Sequence, residues 1–142
     1  MATSKIRTLI EAIETRMTVL GFTATNTVFD FDLVPDSVIH KGYRIESRII
    51  GNNYGMDNQA NPREEISIWV AYKMKRDARA AWKSALDDRE AIEDDLVNNP
   101  TIMALASDPL LTLDSEASAQ KYLKDYFILK LAFTADYLRT IS

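Results

Sequence analysis

Asp87, Asp88, Glu90, Glu93, Asp94 and Asp95 place six carboxylates within nine residues. Carboxylate oxygens are what hard cations prefer, so this run is the first candidate for a Mg²⁺ or Ca²⁺ site. On one helix, however, consecutive side chains point apart, and only positions three or four apart share a face. The spacing therefore reads as a solvated acidic face and not as a metal cage. His40 is the single histidine. As a general base it would need an orienting group close by, and the acids belong to another element. A lone histidine where a strand begins reads as a turn or surface residue. The chain has no cysteine, which removes thiolate nucleophiles, disulfides and thiolate zinc sites. It also lacks a Gly-rich phosphate loop, a nucleophile elbow and a dinucleotide fingerprint. Tyr43, Trp69 and Trp82 could stack on nucleobases if Arg44, Arg48 and Lys73 surrounded them on an exposed sheet face. The simpler reading puts these aromatics in the core. No catalytic residue, metal ligand or cofactor site is expected, and the chain reads as a non-enzyme.

The elements that carry these residues fit one domain of 142 residues, with 46% hydrophobic and 27% charged residues. The net charge of −4 argues against wholesale binding of nucleic acid. The N-terminal stretch interrupts its apolar pattern with Glu11 and Glu14, unlike a secretion signal, and no apolar run is long enough to span a bilayer. These features, with the missing cysteines, predict a soluble protein of a reducing cytoplasm.

Ile6, Leu9, Ile10, Ile13, Met17 and Leu20 recur at spacings of three and four. They predict a first helix with Ser4 as its N-cap and Gly21 as its stop. Alternation predicts strands over Ile39 to Ile50 and over Glu64 to Lys75, the latter with Ile66, Ile68, Val70, Tyr72 and Met74 on one face. A second helix is expected from Asp77, its N-cap, to Asn98, burying Ala78, Ala81, Trp82, Ala85, Leu86, Ile92 and Leu96. Asn99-Pro100 predicts a short third helix reaching Ala106. Leu110–Leu113 reads as a short strand, residues 114–120 as a polar connector, and Tyr122 to Leu138 as one long strand. The expected fold is α+β: two layers, a mainly antiparallel sheet of about four strands, and two main helices on one face.

Two features stand out from this frame. Between the first two long strands lies GNNYGMDNQANP, Gly51 to Pro62, with four Asn, two Gly and a single charge, Asp57. It reads as a loop without structure of its own, of a length that is usually functional or disordered. The second feature is charge order. Lys73, Lys75, Arg76, Arg79 and Lys83 load the start of the second helix, and the six acids load its far half. The helix dipole favours the reverse, by a few tenths of a kcal/mol to about 1 kcal/mol per charge. Complementarity between rotated copies would explain the order. The basic end of one copy would meet Asp87, Asp88, Glu90, Asp94 and Asp95 of the next, in a head-to-tail contact that can close into a ring.

Two stretches carry a resemblance. FDFDLVPDSVIHKGYRIE (29–46) resembles the segment leading into the first long strand of siphophage tail terminator proteins, and RDARAAWKSALDDREAIEDDL (76–96) is similar to the helix after their second strand. Phe29, Phe31, Pro35, Tyr43, Arg76, Asp77, Ala81, Leu86 and Asp87 are the matching positions. The resemblance implies a structural protein without cofactor, assembled in the host cytoplasm. It implies a ring, commonly a hexamer, at the tail–neck junction of the virion. Such a ring stops polymerisation of the tail tube protein and meets a head–neck connector or stopper protein. DNA only passes through it, and no membrane is involved. Other neck components, a head–tail adaptor or a stopper, share the element order, and a small nucleic-acid-binding protein is the more distant alternative. Within the terminator reading, the Asn-rich segment becomes an arm that binds a partner subunit through Asn52, Asn53, Tyr54, Met56, Asp57, Asn58 and Gln59.

Overall fold

The computed structural model describes residues 4–54, 59–74, 78–100, 102, 110–114, 117–137 and 139–140, with backbone alone at 52–54, 59, 110–111 and 139–140. Helix α1 (Lys5–Val19) begins as expected. The Ser4 hydroxyl accepts the Arg7 N–H at 3.2 Å and satisfies one of the orphan donors of the first turn. It ends where Gly21 takes φ +97°. There the Phe22 N–H donates to Met17 O and the Gly21 N–H to Thr18 O, the paired bonds of a Schellman stop. Leu9, Ile13 and Met17 form its fully buried stripe.

The chain continues through β1 (Thr23–Ala24), β2 (Gly42–Tyr54), β3 (Gln59–Lys73), α2 (Ala78–Asn98), β4 (Leu110–Leu113), β5 (Ala119–Leu123), β6 (Tyr126–Asp136) and β7 (Arg139–Thr140). The fold is α+β. The sheet runs β1-β2-β3-β6-β4, with β5 also on β6 and β7 also on β3. All pairings are antiparallel except the two-residue contact of β1 with β2. Seven segments replace the expected four strands, and the ladders explain why. β4 and β5 lie end to end along β6, and β7 resumes along β3 where β6 stops. Four long ribbons are each interrupted or extended.

Two expectations fail at the C-terminal hairpin. Residues 119 and 120 of the expected connector belong to β5, and the expected strand Tyr122 to Leu138 turns back at Lys124–Asp125. Lys124 adopts φ +52° without being Gly or Asn, so no turn signature marks the reversal. The break between β4 and β5 is closed by Asp114, which accepts the Ala117 N–H through its side chain and the Ser118 N–H through its carbonyl. At the other end of the chain's middle, the Asn99 side chain accepts the Ile102 N–H, as an N-cap does. The remainder of the expected third helix, and the expected cap Asp77, lie outside the described residues.

Alternation on β3 divides the core in two. Ile66, Ile68, Val70 and Tyr72 face α1 and α2 together with Phe127, Leu129, Leu131 and Phe133 of β6. Trp69 and Ala71 face the other way, beside Tyr126 and Ile128, and Phe29 and Val38 of the segment between β1 and β2 cover them. Ile68 is fully buried between Ile45 and Leu131. Ile68→Ala should therefore cost about 2–5 kcal/mol in urea unfolding. Val28→Ala, at a residue 72% exposed, should stay within about 0.5 kcal/mol. Equal costs would refute this division of faces.

Candidate functional site

The Asn-rich segment is a hairpin arm and not an irregular loop, which corrects the expectation from sequence. Rungs Gly51↔Arg63, Asn52↔Pro62, Asn53↔Asn61 and Tyr54↔Ala60 continue the β2–β3 ladder beyond a register shift at Ile50. β7 closes the far side of β3 through Gln59↔Thr140 and Ala60↔Arg139, and the Tyr137 N–H donates to Pro62 O. Asn and Gly are poor strand formers. Here a neighbour on each side of β3 supplies ladder bonds, and this outweighs propensity. At the base, the Arg63 guanidinium meets Asp136 at 2.9 Å, and buried Glu64 accepts the Tyr137 hydroxyl at 3.1 Å. Asn52, Asn53, Tyr54 and Gln59 thus lie on paired strand backbone. Met56, Asp57 and Asn58 lie outside the described residues.

Below the arm, the helix-free face carries a polar network. Trp69 lies between the Arg44 guanidinium, 4.9 Å from its ring centre, and the Lys130 ammonium at 5.2 Å, with Phe31 edge-on at 4.9 Å. Its indole N–H donates to Glu46, which also takes Arg44 at 2.8 Å. Arg44 further donates to Phe29 O at 2.7 Å, tying the covering segment to β2. Glu65, almost fully buried, meets Arg48 at 3.5 Å and Lys130 at 3.7 Å. The nucleobase platform is therefore not built. Trp69 is 6% and Tyr43 2% exposed, and Trp82 packs half-buried against the main core. Tyr43 is on the opposite face, its hydroxyl donating to Glu14 O.

The charge order of α2 is partly internal. Asp95 binds the Arg16 guanidinium through two bonds of 2.8 Å, joining α2 to α1. Asp88 accepts the Tyr72 hydroxyl at 2.9 Å and pairs with the Lys41 ammonium at 3.4 Å. Burial first, then the Asp88 charge, pushes the Tyr72 hydroxyl far above its ordinary pKa. These two acids hold the chain's own layers together. Asp87, Glu90 and Asp94 are exposed, as are Lys73, Arg79 and Lys83. Lys75 and Arg76 lie outside the described residues. Among the described residues no carboxylate or histidine group has the arrangement of a metal site.

His40 is exposed, and its Nδ1 accepts the Lys73 N–H at 3.1 Å while the ring stands edge-on to Tyr72. It secures a strand end. A cleft of about 350 Å³ opens beside the break between β4 and β5, lined by Arg89, Glu93, Ser118, Gln120 and Leu129 among others. Its Ser118 hydroxyl donates to Asp114 O and accepts the Ala132 N–H. Reasoning from sequence missed the cover of the helix-free face. A signal was present: Trp69, Ala71, Tyr126 and Ile128 are the apolar positions of a face that is polar elsewhere, and such a patch needs a lid. No described helix is long and apolar enough to cross a membrane.

Burial alone would raise the Glu46 carboxyl, but Arg44 and the Trp69 N–H outweigh it and hold the carboxyl below its ordinary range. A carboxyl lowered by folding stabilises above its unfolded pKa of about 4.3 and loses that contribution as pH falls through the folded value. Glu46→Gln should therefore be less stable than the parent at neutral pH, and the gap should close in acid. Denaturant midpoints across that range measure it, and a gap that stays constant would count against the network. Set beside known proteins, the chain matches no family model and no curated sequence.

Proposed function

We propose that the chain is a phage tail terminator: a ring, commonly of six copies in the proteins it resembles, that caps the tail tube, stops its growth and joins it to the head–neck connector at the tail–neck junction of the virion. The observation that carries this reading is the arm. Its rungs from Gly51↔Arg63 to Tyr54↔Ala60 carry β2 and β3 beyond Ile66, where the main core of β3 begins; Ala60 and Pro62 are buried on one side of β3, while Asn61 and Arg63 are exposed on the other. Its side-chain amides suit hydrogen bonds to another chain.

Three further features support the reading. The stretch 29–46 covers the helix-free face and leads into the first long strand, and α2 follows the second, as the resemblance implies. Asp87, Glu90 and Asp94 remain exposed on α2, opposite in sign to exposed Lys73 and Lys83, so a head-to-tail contact keeps its complementary charges. The helix-free face offers paired cations: Arg44, Arg48, Arg63 and Lys130 each meet a carboxylate. A bore lined by such pairs holds DNA phosphates less firmly than bare lysine or arginine would.

Tyr54 and Ala60 are directly paired, so a two-residue Asn-Gly turn can replace residues 55–59 and leave the β2–β3 ladder intact, at the loss of the terminal Gln59↔Thr140 rung with β7. The shortened protein should unfold at the parent's temperature. Supplied to a phage lacking the chain, it should give tails of uncontrolled length or tails without heads in electron micrographs. Tails of normal length joined to heads would refute the role of the arm. Density for this chain elsewhere in the neck would favour an adaptor or stopper. Its absence from particles would end the reading.

A further inference from the structure

Beyond Tyr43, nothing among the described residues pairs with the outer edge of β2. β1 covers only Gly42 and Tyr43, and the register shift at Ile50 ends the regular stretch on the other side. The open window is Arg44 to Ile49. The direction of its backbone groups follows from one bond. Tyr43 O accepts the Thr25 N–H at 2.9 Å, so the groups of Tyr43 face outward. In an antiparallel strand the N–H and C=O of a residue point to the same side and alternate along the chain. Ile45, Ser47 and Ile49 therefore present their donors and acceptors to the open edge, while Arg44, Glu46 and Arg48 bond to β3.

The order of side chains in that window is self-complementary. It reads Ile-Glu-Ser-Arg-Ile, Ile45 to Ile49. We propose that a second copy of this chain docks here, antiparallel, about a two-fold axis at Ser47. Ser47 then faces the partner's Ser47, and Ile45 faces the partner's Ile49. Every one of these is an outward-facing residue, so each rung closes with two backbone bonds. On the helix-free face Glu46 stands opposite the partner's Arg48, twice by symmetry. Shifting the register by two residues in either direction sets Glu46 against Glu46, or Arg48 against Arg48, and like charges directly opposite are unfavourable. Charge, with β1 already occupying the outer edge at Tyr43, thus selects one register.

The side chains are disposed to take part. Ile49 is 61% exposed, and the side chains of Glu46 and Arg48 are 51% and 73% exposed. On the sheet's other outer edge, β5 reads Ala-Gln-Lys-Tyr-Leu, whose two-fold pairing would set Lys121 against itself. The β2 contact is isologous and stops at two copies. It is distinct from the head-to-tail contact of a ring and does not rest on the tail-terminator reading. It also covers an open edge that would otherwise invite uncontrolled pairing.

Sedimentation from micromolar to millimolar concentration tests it. The parent chain should show a reversible monomer–dimer equilibrium. Glu46→Arg alone and Arg48→Glu alone should each weaken the dimer by about tenfold or more. An equimolar mixture of the two variants should associate as the parent does, because every opposed pair is then of opposite sign. Ser47→Pro removes an outward N–H that β3 does not use, and proline is tolerated at such an edge. It should leave the circular dichroism spectrum and melting temperature unchanged and abolish the dimer, which keeps the test decisive if the charge variants fail to fold. A parent monomeric throughout, or a mixture that does not associate, would overturn the proposal. So would a dimer that survives Ser47→Pro, whereas a ring that survives it belongs to the separate head-to-tail contact and would leave the terminator reading standing.

Discussion

β3 has a hydrogen-bonded neighbour on each side along almost all of its length. β2 runs down one flank, and β6 and then β7 down the other. A strand saturated in this way cannot slip, because a shift of one residue would exchange its two faces. Ile66, Ile68, Val70 and Tyr72 would turn away from the helices, and Glu65, Ser67 and Trp69 would turn toward them. Both ladders, both cores and the arm inherit their geometry from this register.

The two faces are closed in different ways. Toward the helices, the amphipathic stripes of α1 and α2 lie over the aliphatic and aromatic residues of β3 and β6. The helices are locked to each other by Arg16 and Asp95, and α2 is tied to the sheet by Asp88 with Tyr72 and Lys41. Away from the helices, a segment with little regular structure does the covering. It is held by backbone carbonyls: Phe29 O takes the Arg44 guanidinium, and Val38 O takes the Tyr126 hydroxyl at 2.7 Å. Trp69, between two cations, marks where this lid gives way to the charged part of the face. A buried polar network specifies geometry well when its members are satisfied, and here Glu46, Glu65 and Asp136 each have a cationic partner.

This division bears on function. Among the described residues, His40 binds at a strand end, Asp88 and Asp95 bind between layers, and Trp69 lies under its lid. The features left over are surfaces. They are the polar arm, the outward charges of α2 and the open edge of β2.

The sequence by itself determined what depends on local periodicity. The stripe of α1 with its Ser4 and Gly21 ends, the alternation of β3, the α+β class and most of the stripe of α2 were legible, because a helix or strand writes its period into consecutive residues; Ala81, Ala85, Ile92 and Leu96 are buried, while Trp82 and Leu86 are half-buried and Ala78, at the helix start, is exposed. Four things were decided only by the tertiary structure: the arm as paired strand, the reversal at Lys124–Asp125, the lid over Trp69, and the internal use of Asp88 and Asp95. Each rests on partners distant in the chain. Arg16 meets Asp95 across 79 positions, Tyr126 meets Val38 across 88, and the arm's backbone is closed by β7 near the far end of the molecule. Local propensity opposed the arm and was silent about the rest. Backbone hydrogen bonds that must be satisfied, and an apolar patch that must be covered, decided them in three dimensions.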